Sequence, residues 1–381
     1  MNSLYFDYAA TTPVDPEVME AMLPYFKDTF GNPSSTHQYG QKAEGAVEHA
    51  RELIASLINC SHNEVVFTSG GTEADNMALR GAAFSRKSST GANRILITPV
   101  EHDAILNTAK QLQANYGFQI EYIPVDKVGK VDISTFSTML DSNVAIVSVI
   151  YGNNEIGTIN PVTEIGGLCH EYGIPFHTDA VQAMGYCSIT AKNEVDMISA
   201  GAHKFYGPKG VGFLYKSNSI KVLPTQTGGG QERGNRAGTH NVPYIVGMAI
   251  ALQKARINQE KYREHYQNLR NEIINRILIE VPDVILTGSQ EERLSNHASF
   301  VFTGVDGNEL VMMLDMAGVA CSSGSACKTG NPEPSEVLLA LGYSAALAKG
   351  SLRITVGRDT RKEDVDLLIP AVAEAVRKAR I

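Results

Sequence analysis

Apolar residues gather in short runs along the first two thirds of the chain, and helix-like stretches separate these runs. The runs fall at residues 64–68, 94–98, 120–125, 144–150, 174–178, 196–200 and 211–215. Several are apolar at successive positions, which is typical of strands buried on both faces. Their alternation with helices predicts an α/β fold with a mostly parallel, seven-stranded sheet covered by helices. Residues 85–93, rich in serine, predict a surface loop between a helix and a strand.

The pattern changes from about Tyr244. A long helical stretch with a charged middle at 254–270 runs to about Glu280, and a smaller α+β pattern follows, with candidate strands at 298–302 and 352–356. We therefore expect a large domain of residues 1–250, whose first residues pack on the small domain, and a small C-terminal domain of residues 251–381. Residues 322–335, rich in Ser, Gly and Pro, predict a mobile loop.

The composition excludes several classes of protein. Apolar residues make up 43% and charged residues 19% of the 381 positions, so the chain can bury a large core and is not expected to be disordered. The net charge is −8 and no basic block occurs. The chain therefore has no general attraction to nucleic acid or to an anionic membrane.

Cysteine usage and the apolar segments indicate the compartment. The five cysteines are odd in number and form no CxxC pair, which argues against a disulfide framework or a zinc knuckle. The first residues lack the basic and apolar stretches of a secretory signal. The longest apolar stretch, residues 144–151, is far too short for a membrane span. We expect a cytoplasmic protein.

The most specific candidate site lies at residues 196–210, where a predicted strand ends and Lys204 follows in a glycine-flanked turn. Ligands of open α/β sheets bind at the carboxyl ends of strands, and a lysine there can act as an amine nucleophile. An exposed surface lysine is the commoner explanation of any single lysine. Asp179, at the end of another predicted strand, changes that balance. A Schiff-base lysine and an aspartate beside a pyridinium nitrogen are the two marks of pyridoxal 5′-phosphate (PLP) enzymes.

A phosphate group needs a cradle, and residues 68–76 (TSGGTEADN) offer one. They follow a predicted strand and open a helix, so glycine backbone and the helix N-terminus favour an anion, and Thr72 adds a hydroxyl. The GK[ST] ending of a Walker A loop is absent. A plain helix start would explain the segment in most proteins. Together with Lys204 and Asp179 the signal becomes specific.

Two further residues have both a structural and a functional interpretation. His102 follows a predicted strand at the same edge as Lys204 and Asp179, where an imidazole can stack on a ring and move protons. A lone histidine near a strand end is more often structural. Arg353, in the small domain, would form an ordinary salt bridge or capture a substrate carboxylate through two hydrogen bonds.

Cys327 differs from the other cysteines. It lies in the polar segment 322–335 with Lys328 beside it, and exposure with a neighbouring cation suits a reactive thiol. Cys60, Cys169 and Cys187 are expected to be buried small apolar residues. Cys321, at the predicted end of a strand, has the same expectation.

These motifs together carry a family resemblance. The chain resembles the cysteine desulfurases of the NifS/IscS-like branch, within the PLP enzymes of fold type I related to class V aminotransferases. The resemblance rests on ten segments between residues 5 and 358, in this order: YFDYAATTPVD, GNPSSTH, TSGGTEADN, VEHDA, YGNNEIG, HTDAVQ, AHKFYGPKG, RAGT, SSGSAC and SLRITVGR.

The resemblance implies a role for each candidate residue in a reaction that converts L-cysteine to L-alanine. Lys204 would hold PLP and move the α-proton, His102 would stack on the ring, and Asp179 would pair with the ring nitrogen. Cys327 would take the sulfur as a persulfide. The remaining implied contacts are Gln182 and Asn154 on the ring's 3′-oxygen side, Gly71, Thr72, His203 and the second subunit's Thr239 on the phosphate, and Arg353 and Asn32 on the substrate.

The implied partners are a second copy of the chain and a sulfur-acceptor protein such as an iron–sulfur scaffold. No intrinsic metal is implied, although Cys327 would ligate an iron–sulfur cluster transiently. Two departures from the family stand out. Gly201 occupies a position that usually carries a phosphate-binding serine. The chain stops at Ile381, without the C-terminal extension by which housekeeping members dock a scaffold.

Three alternatives stay open. A small-molecule aminotransferase of the same fold would not need a cysteine in the segment 322–335. A selenocysteine lyase would act on a selenium substrate. A catalytically inactive relative acting as a scaffold would not need to keep Lys204, Asp179, His102 and Cys327 together.

Overall fold

The computed structural model describes residues 4–191, 194–324 and 333–380. Cys327 therefore lies outside the described residues. The strands are β1 (Leu4–Tyr5), β2 (Val65–Thr68), β3 (Arg94–Ile97), β4 (Gln119–Tyr122), β5 (Val144–Ser148), β6 (Phe176–Asp179), β7 (Met197–Gly201), β8 (Gly212–Lys216), β9 (Val284–Leu286), β10 (His297–Phe302), β11 (Val319–Ala320) and β12 (Ser351–Thr355).

Seven strands form the large sheet, in the order β2-β8-β7-β6-β5-β3-β4. The five from β7 to β4 run parallel, and β8 is antiparallel to both of its neighbours. The predicted mostly parallel, seven-stranded sheet is confirmed. Because β2, β3, β5, β6 and β7 all point the same way, their carboxyl ends meet at one edge of the sheet. That edge is where ligands bind in such folds.

The described residues also form helices. They are α1 (Pro16–Met22), α2 (Pro24–Lys27), α3 (Gln38–Ile58), α4 (Gly71–Thr90), α5 (Asp103–Tyr116), α6 (Ile133–Thr138), α7 (Val162–Glu171), α8 (Val242–Ile257), α9 (Gln259–Glu280), α10 (Gly307–Met316), α11 (Glu336–Ala340), α12 (Ala345–Lys349) and α13 (Lys362–Ala379). None of these helices is long and apolar enough to cross a membrane.

The large sheet lies between two apolar clusters. Helices α4 and α5 pack on one face, around residues such as Val66 and Ile95. Helices α3, α7 and α8 pack on the other face, around Phe67 and Leu96. Neighbouring residues of one strand thus face opposite cores, and this explains why the strands are apolar at successive positions.

A further apolar cluster lies around a three-stranded antiparallel sheet of order β12-β10-β9. Helices α9, α10 and α13 contribute to it, and so does Phe6 from the start of the chain. Strand β1 pairs in parallel with β11, and Asp7 bridges to Thr355. The N-terminal residues thereby join the C-terminal sheet to the edge of the large one.

Two local expectations differ from the structure. The predicted surface loop at 85–93 is wrong, since α4 continues to Thr90. The hydroxyl groups of Ser89 and Thr90 donate to carbonyls one turn back, and Gly91, with φ 81°, ends the helix. The helical stretch from Tyr244 to Glu280 is two helices, because the chain leaves helical geometry at Asn258.

Candidate active site

A cavity of about 370 Å³ opens at the carboxyl edge of the large sheet. The structure brings nine of the twelve predicted site residues together on its wall. They are Gly71, Thr72, His102, Asn154, Asp179, Gln182, His203, Lys204 and Arg353. Six separate segments of the chain supply them, and strands of the sheet lead directly into most of these segments.

Lys204 reaches the cavity from a short 3₁₀ turn, Ala202–Lys204, that directly follows β7. Its Nζ donates hydrogen bonds to the carbonyl oxygens of Ala9 at 2.6 Å and Ala10 at 2.9 Å. These contacts hold the amine against the N-terminal segment. The backbone oxygens of Ala9 and Ala10 therefore help to orient the amine.

His203 lies next to this lysine and faces the same cavity. Its Nδ1 is 3.2 Å from the Thr11 hydroxyl. Burial and, to a smaller extent, the charges of Lys204 and Lys209 lower the pKa of His203 to about 4. At neutral pH His203 is therefore uncharged and serves as a hydrogen-bonding group.

Asp179 is the last residue of β6, and its side chain is only 4% exposed. One carboxyl oxygen accepts the N–H of Val181 at 2.9 Å. Burial raises the pKa of Asp179, whereas His102, the Val181 N–H and Lys204 favour its ionised form. A buried carboxylate in this position is suited to pair with a cation in the cavity.

The N-terminus of α4 forms a narrow part of the wall. The helix begins after Gly70, which has a φ of 155°. Because glycine has no side chain to cap the helix, the first N–H groups of α4 receive no hydrogen bond from the residue at the cap position. A Cβ at Gly71 would lie 2.4 Å from Val181 Cγ2, so a side chain there would close the gap. This helix start, with Thr72 and His203 beside it, can hold an anion.

His102 caps α5. Its Nδ1 accepts the N–H of Ala104 at 3.1 Å. Since Nδ1 is the acceptor, the neutral ring carries its proton on Nε2. The imidazole, Asp179 and Asp75 each place one ligand atom within 4.8 Å of the others. That spacing alone would also suit a metal ion. Lys204 borders the same cavity, however, and an amine beside a buried carboxyl group suits an organic cofactor with a ring nitrogen better.

Arg353 enters from β12 and is 7% exposed. Its Nη2 donates to Asp7 Oδ1 at 2.9 Å, and its Nη1 donates to the carbonyl of Asn154 at 2.9 Å. Its buried Nε has no hydrogen-bond partner among the described residues. The pair with Asp7 holds the guanidinium group in place, and the remaining N–H offers a donor to an incoming carboxylate.

Gln182 and Asn154 complete this part of the wall. Gln182 donates from Nε2 to the carbonyl of Ala9 at 2.8 Å, which ties it to the same backbone that holds Lys204. The Asn154 carbonyl accepts from Arg353 and lies 3.1 Å from Nε2 of His297. The two carboxamide side chains thus stand on segments that are fixed by other contacts.

Two predicted site residues lie away from this lining. Asn32 is exposed, and its side-chain oxygen accepts the N–H of Ser34 at 3.0 Å. Thr239 is exposed as well, and neither residue is among the described residues that line the cavity. Cys327 lies outside the described residues. Cys321, which was expected to be buried, is buried directly after β11.

Sequence reasoning assigned no role to Asp75 and Asp7, although both line the cavity. Both stand in motifs that carry the resemblance, TEADN and YFDYAATTPVD. Asp75 lies three residues after Thr72 in α4, a spacing that puts both on one side of a helix. That spacing is the only signal for Asp75, whereas Asp7 is 346 residues away from the arginine that it binds.

The lining suits PLP by the chemistry of its groups. An amine that can bond to an aldehyde, a buried carboxylate for a ring nitrogen and a helix N-terminus for a phosphate meet in one cavity. Gly70 has a positive φ, which favours glycine, and a side chain at Gly71 would collide with Val181. Glycine at both positions therefore keeps this helix start open. The residues present therefore fit the cofactor that the motifs imply.

Known proteins share this sequence and fold. The profile of the Aminotransferase class-V family matches residues 4–368. The curated "Cysteine desulfurase IscS" of Clostridium botulinum (strain Hall) is 44% identical over 380 residues, which cover 99% of this chain and 95% of that protein. The "Putative cysteine desulfurase IscS 1" of Bacillus subtilis is 41% identical over 380 residues, covering 99% and 100%. A solved NifS-like protein superposes with a TM-score of 0.92 at 34% identity, covering 99% and 100%.

Proposed function

Because the chain belongs to the class V aminotransferase family, whose members are PLP enzymes, we propose that it is a cysteine desulfurase that converts L-cysteine to L-alanine. Its α/β architecture is the PLP fold type I of the NifS-like protein. The observation that carries the proposal is the meeting of Lys204, Asp179, His102 and the start of α4 in one cavity. The names of the relatives, which match along almost the whole chain, support the choice of reaction.

The residues of the cavity would hold PLP at three points. Lys204 would bond to the aldehyde carbon, Asp179 would face the ring nitrogen, and Thr72 and His203 would bind the phosphate with Gly71. Asn154 and Gln182 would face the 3′-oxygen side. When bound, PLP supplies an electron sink for the bonds at the α-carbon of an amino acid.

The chain's own groups would then act on the substrate. Arg353 would bind the α-carboxylate through the Nε–H that has no partner among the described residues, and Asn32 would assist it. The amine of Lys204, next to neutral backbone acceptors, would take and return the α-proton. His102 would lie over the ring and move protons from Nε2.

Sulfur transfer is balanced without an external oxidant. The thiolate of Cys327 would attack the sulfur of the substrate, the bond between that sulfur and the β-carbon would break, and the electron pair would go to the carbon. Protonation of that carbon gives alanine, and the enzyme keeps the sulfur as a persulfide. A thiol acceptor would later remove it.

The finer features of the proposal concern partners and place. Thr239 would contact the phosphate bound by a second copy of the chain, so the functional unit would be a homodimer. The persulfide would pass to an acceptor protein of iron–sulfur cluster assembly or of another thio-cofactor pathway. The absence of a membrane-spanning helix among the described residues agrees with a cytoplasmic site of action.

Alanine formation without a keto acid tests the proposal. The enzyme with PLP and L-cysteine should form alanine and, with a thiol reductant, an equal amount of sulfide. Lys204→Ala should form neither, because no other amine of the described residues stands at this point of the cavity. A requirement for a keto-acid acceptor would instead indicate an aminotransferase. Turnover of selenocysteine alone would indicate a lyase, and no turnover of any of these would indicate a scaffold.

A further inference from the structure

Asp75 is a buried carboxyl group in the cavity to which the proposed reaction gives no role. It lies in the second turn of α4, three residues after Thr72, and its side chain is 1% exposed. One of its oxygens lies within 4.8 Å of an oxygen of Asp179 and of a ring nitrogen of His102. Asp75 is thus a second carboxyl group beside the one that would face the cofactor's ring nitrogen.

Among the described residues, the groups that influence the ionisation of Asp75 include no cation. The nearest basic side chain is His177, whose Nε2 lies 3.7 Å from Asp75 Oδ1. His177 is completely buried, and its two ring nitrogens are each 2.9 Å from a serine hydroxyl, of Ser148 and of Ser199. Burial lowers the pKa of His177 to about 3, so the ring is neutral at physiological pH.

The other groups around Asp75 are neutral or negative. The Ser199 hydroxyl donates a hydrogen bond that favours the ionised form, whereas Asp179 and the buried Glu101 oppose ionisation. Asp75 Oδ1 has no hydrogen-bond partner among the described residues. A buried oxygen without a donor is what a carboxylate avoids and what a carboxylic acid tolerates.

Two buried carboxyl groups this close do not both ionise, so one of them keeps a proton. Burial and the charge of Asp179 raise the pKa of Asp75 well above its usual range. Burial also raises the pKa of Asp179, but His102, Lys204 and the Val181 N–H lower it. Lys204 and the Val181 N–H favour the ionised form of Asp179, and this asymmetry indicates that Asp75 is the member that keeps the proton.

We propose that Asp75 is a positioning residue that holds the proton of this pair and directs it toward Asp179, whose carboxyl oxygen lies within 4.8 Å. Asp179 then stays ionised and faces the cavity, although it is buried. This proposal rests on the proposed function only in that Asp179 meets a cofactor ring nitrogen. The described residues that face the pair from the neighbouring elements are His102, His177, Ser199, Glu101 and Lys204.

Infrared difference spectroscopy of the holoenzyme at neutral pH tests where the proton lies. Subtracting the spectrum of Asp75→Asn from that of the wild type should leave the carbonyl band of a protonated carboxylic acid. A band of an ionised carboxylate in its place would overturn the proposal. Glu101→Gln is the matched control, because Glu101 is also a buried carboxyl group with a raised pKa and should show an acid band of its own.

A second measurement tests whether Asp75 acts through Asp179. The holoenzyme is prepared with PLP labelled with ¹⁵N in its ring, and the pH midpoint of the nitrogen's chemical shift is recorded. Asp75→Asn should keep the wild-type midpoint, since an amide is also uncharged and also presents a polar hydrogen toward Asp179. Asp75→Ala should lower it by about one pH unit, a tenfold change in the ring's proton affinity. Equal midpoints in both variants, shifted or not, would overturn the proposal.

The two measurements separate this proposal from the proposed function. Neither requires turnover of cysteine, so an enzyme that binds PLP but forms no alanine would still report the state of the pair. Circular dichroism of each variant establishes that it is folded, and Asp75→Asn, which keeps the size of the side chain, carries the infrared test by itself.

Discussion

Cys321 illustrates how burial decides the reactivity of a thiol. It lies at 8% exposure directly after β11, in the cluster around the small sheet. Burial and, to a smaller extent, the nearby Asp7 raise the pKa of its thiol to about 12. A thiol with such a pKa is almost entirely protonated at neutral pH and is a poor nucleophile. Cys60, Cys169 and Cys187 also have raised thiol pKa values, because burial disfavours their thiolates.

Cys327 is therefore expected to carry the sulfur. Cys327→Ser should still bind PLP and cysteine, yet form no enzyme persulfide and almost no alanine. Cys321→Ser is the control and should keep most of the activity. Mass spectrometry of peptides after a brief pulse of cysteine measures the outcome. An added sulfur on the Cys321 peptide, with none on the Cys327 peptide, would contradict this assignment.

Glu101 gives the stability of the protein a dependence on pH. It is buried at the end of the segment that follows β3, where its Oε1 accepts from the Thr98 hydroxyl at 2.7 Å and from the Ile150 N–H at 2.8 Å. Its other carboxyl oxygen has no partner among the described residues. Burial raises the pKa of Glu101 to about 8.

In the unfolded chain Glu101 ionises near its ordinary pKa of about 4.3. Between that value and about 8 the folded state holds a proton that the unfolded state releases, so this residue lowers the free energy of unfolding as the pH rises. Each unit of pKa difference corresponds to about 1.4 kcal/mol. Glu101→Gln keeps both hydrogen-bond acceptor contacts and should lose less stability between pH 5 and pH 8. Chemical unfolding of both holoproteins measures this, and an equal loss would mean that Glu101 ionises normally.

At the scale of elements, the start of α4 and the end of β7 would together form the phosphate end of the proposed site. A Cβ at Gly201 would lie 3.4 Å from the Gly71 nitrogen and 3.6 Å from Val181 Cγ1, both ordinary contact distances. Gly201 has extended backbone, with φ −133° and ψ 122°, which a serine adopts without strain. The position therefore has room for the Cβ of a serine.

Gly201→Ser should accordingly retain PLP more tightly. A neutral hydrogen bond contributes about 0.5–1.5 kcal/mol, or up to roughly tenfold in affinity. Gly71→Ala is the opposite control, since its Cβ would lie 2.4 Å from Val181 Cγ2 and should weaken binding. Equilibrium dialysis against PLP measures both dissociation constants. Unchanged or weaker binding by Gly201→Ser would mean that another group already fills this place.

The strands of the large sheet were predictable because burial on both faces leaves a continuous apolar signal. Strands β1 and β11, each of two residues, have no such signal and exist only through their pairing with each other. The end of α4 was missed for a similar reason. The hydroxyls of Ser89 and Thr90 donate hydrogen bonds to backbone carbonyls of the same helix. The polarity of these residues predicted a loop, because the sequence does not show these contacts.

The same division holds in the site. Lys204, Asp179 and His102 were predicted to share an edge because parallel strands end together, and they line one cavity. Asp75 was not assigned, because its significance depends on what buries it and not on its place in the chain. The Arg353–Asp7 pair joins opposite ends of the sequence, and contacts such as the parallel bridge between Asp7 and Thr355 bring them together.

At the scale of the whole molecule, the segment of residues 231–240 is fixed to the large sheet and to α3 by hydrogen bonds of the Glu232 side chain. Glu232, buried and in left-handed geometry with φ 49°, binds Arg51 through both oxygens at 2.7 and 2.8 Å. It also accepts the Phe67 N–H at 2.8 Å and lies 2.6 Å from His240 Nε2. These bonds lower the pKa of Glu232 to about 2 despite its burial. They fix the neighbouring Thr239, which is exposed and absent from the lining of its own cavity.

If Thr239 completes the site of a second copy, two defective chains should restore each other. Lys204→Ala keeps Thr239 but cannot hold PLP covalently, and Thr239→Ala keeps Lys204 but should retain PLP up to roughly tenfold less tightly, for the loss of one hydrogen bond. In the mixed dimer, one site combines the intact Lys204 of one chain with the intact Thr239 of the other. Co-expression with two affinity tags isolates this dimer.

Its PLP content and alanine formation at limiting PLP should reach about half of the wild-type values. If Thr239 acted within its own chain, the mixed dimer would hold no intact site and would stay below that level, and a fully active monomer in sedimentation would contradict the shared site directly.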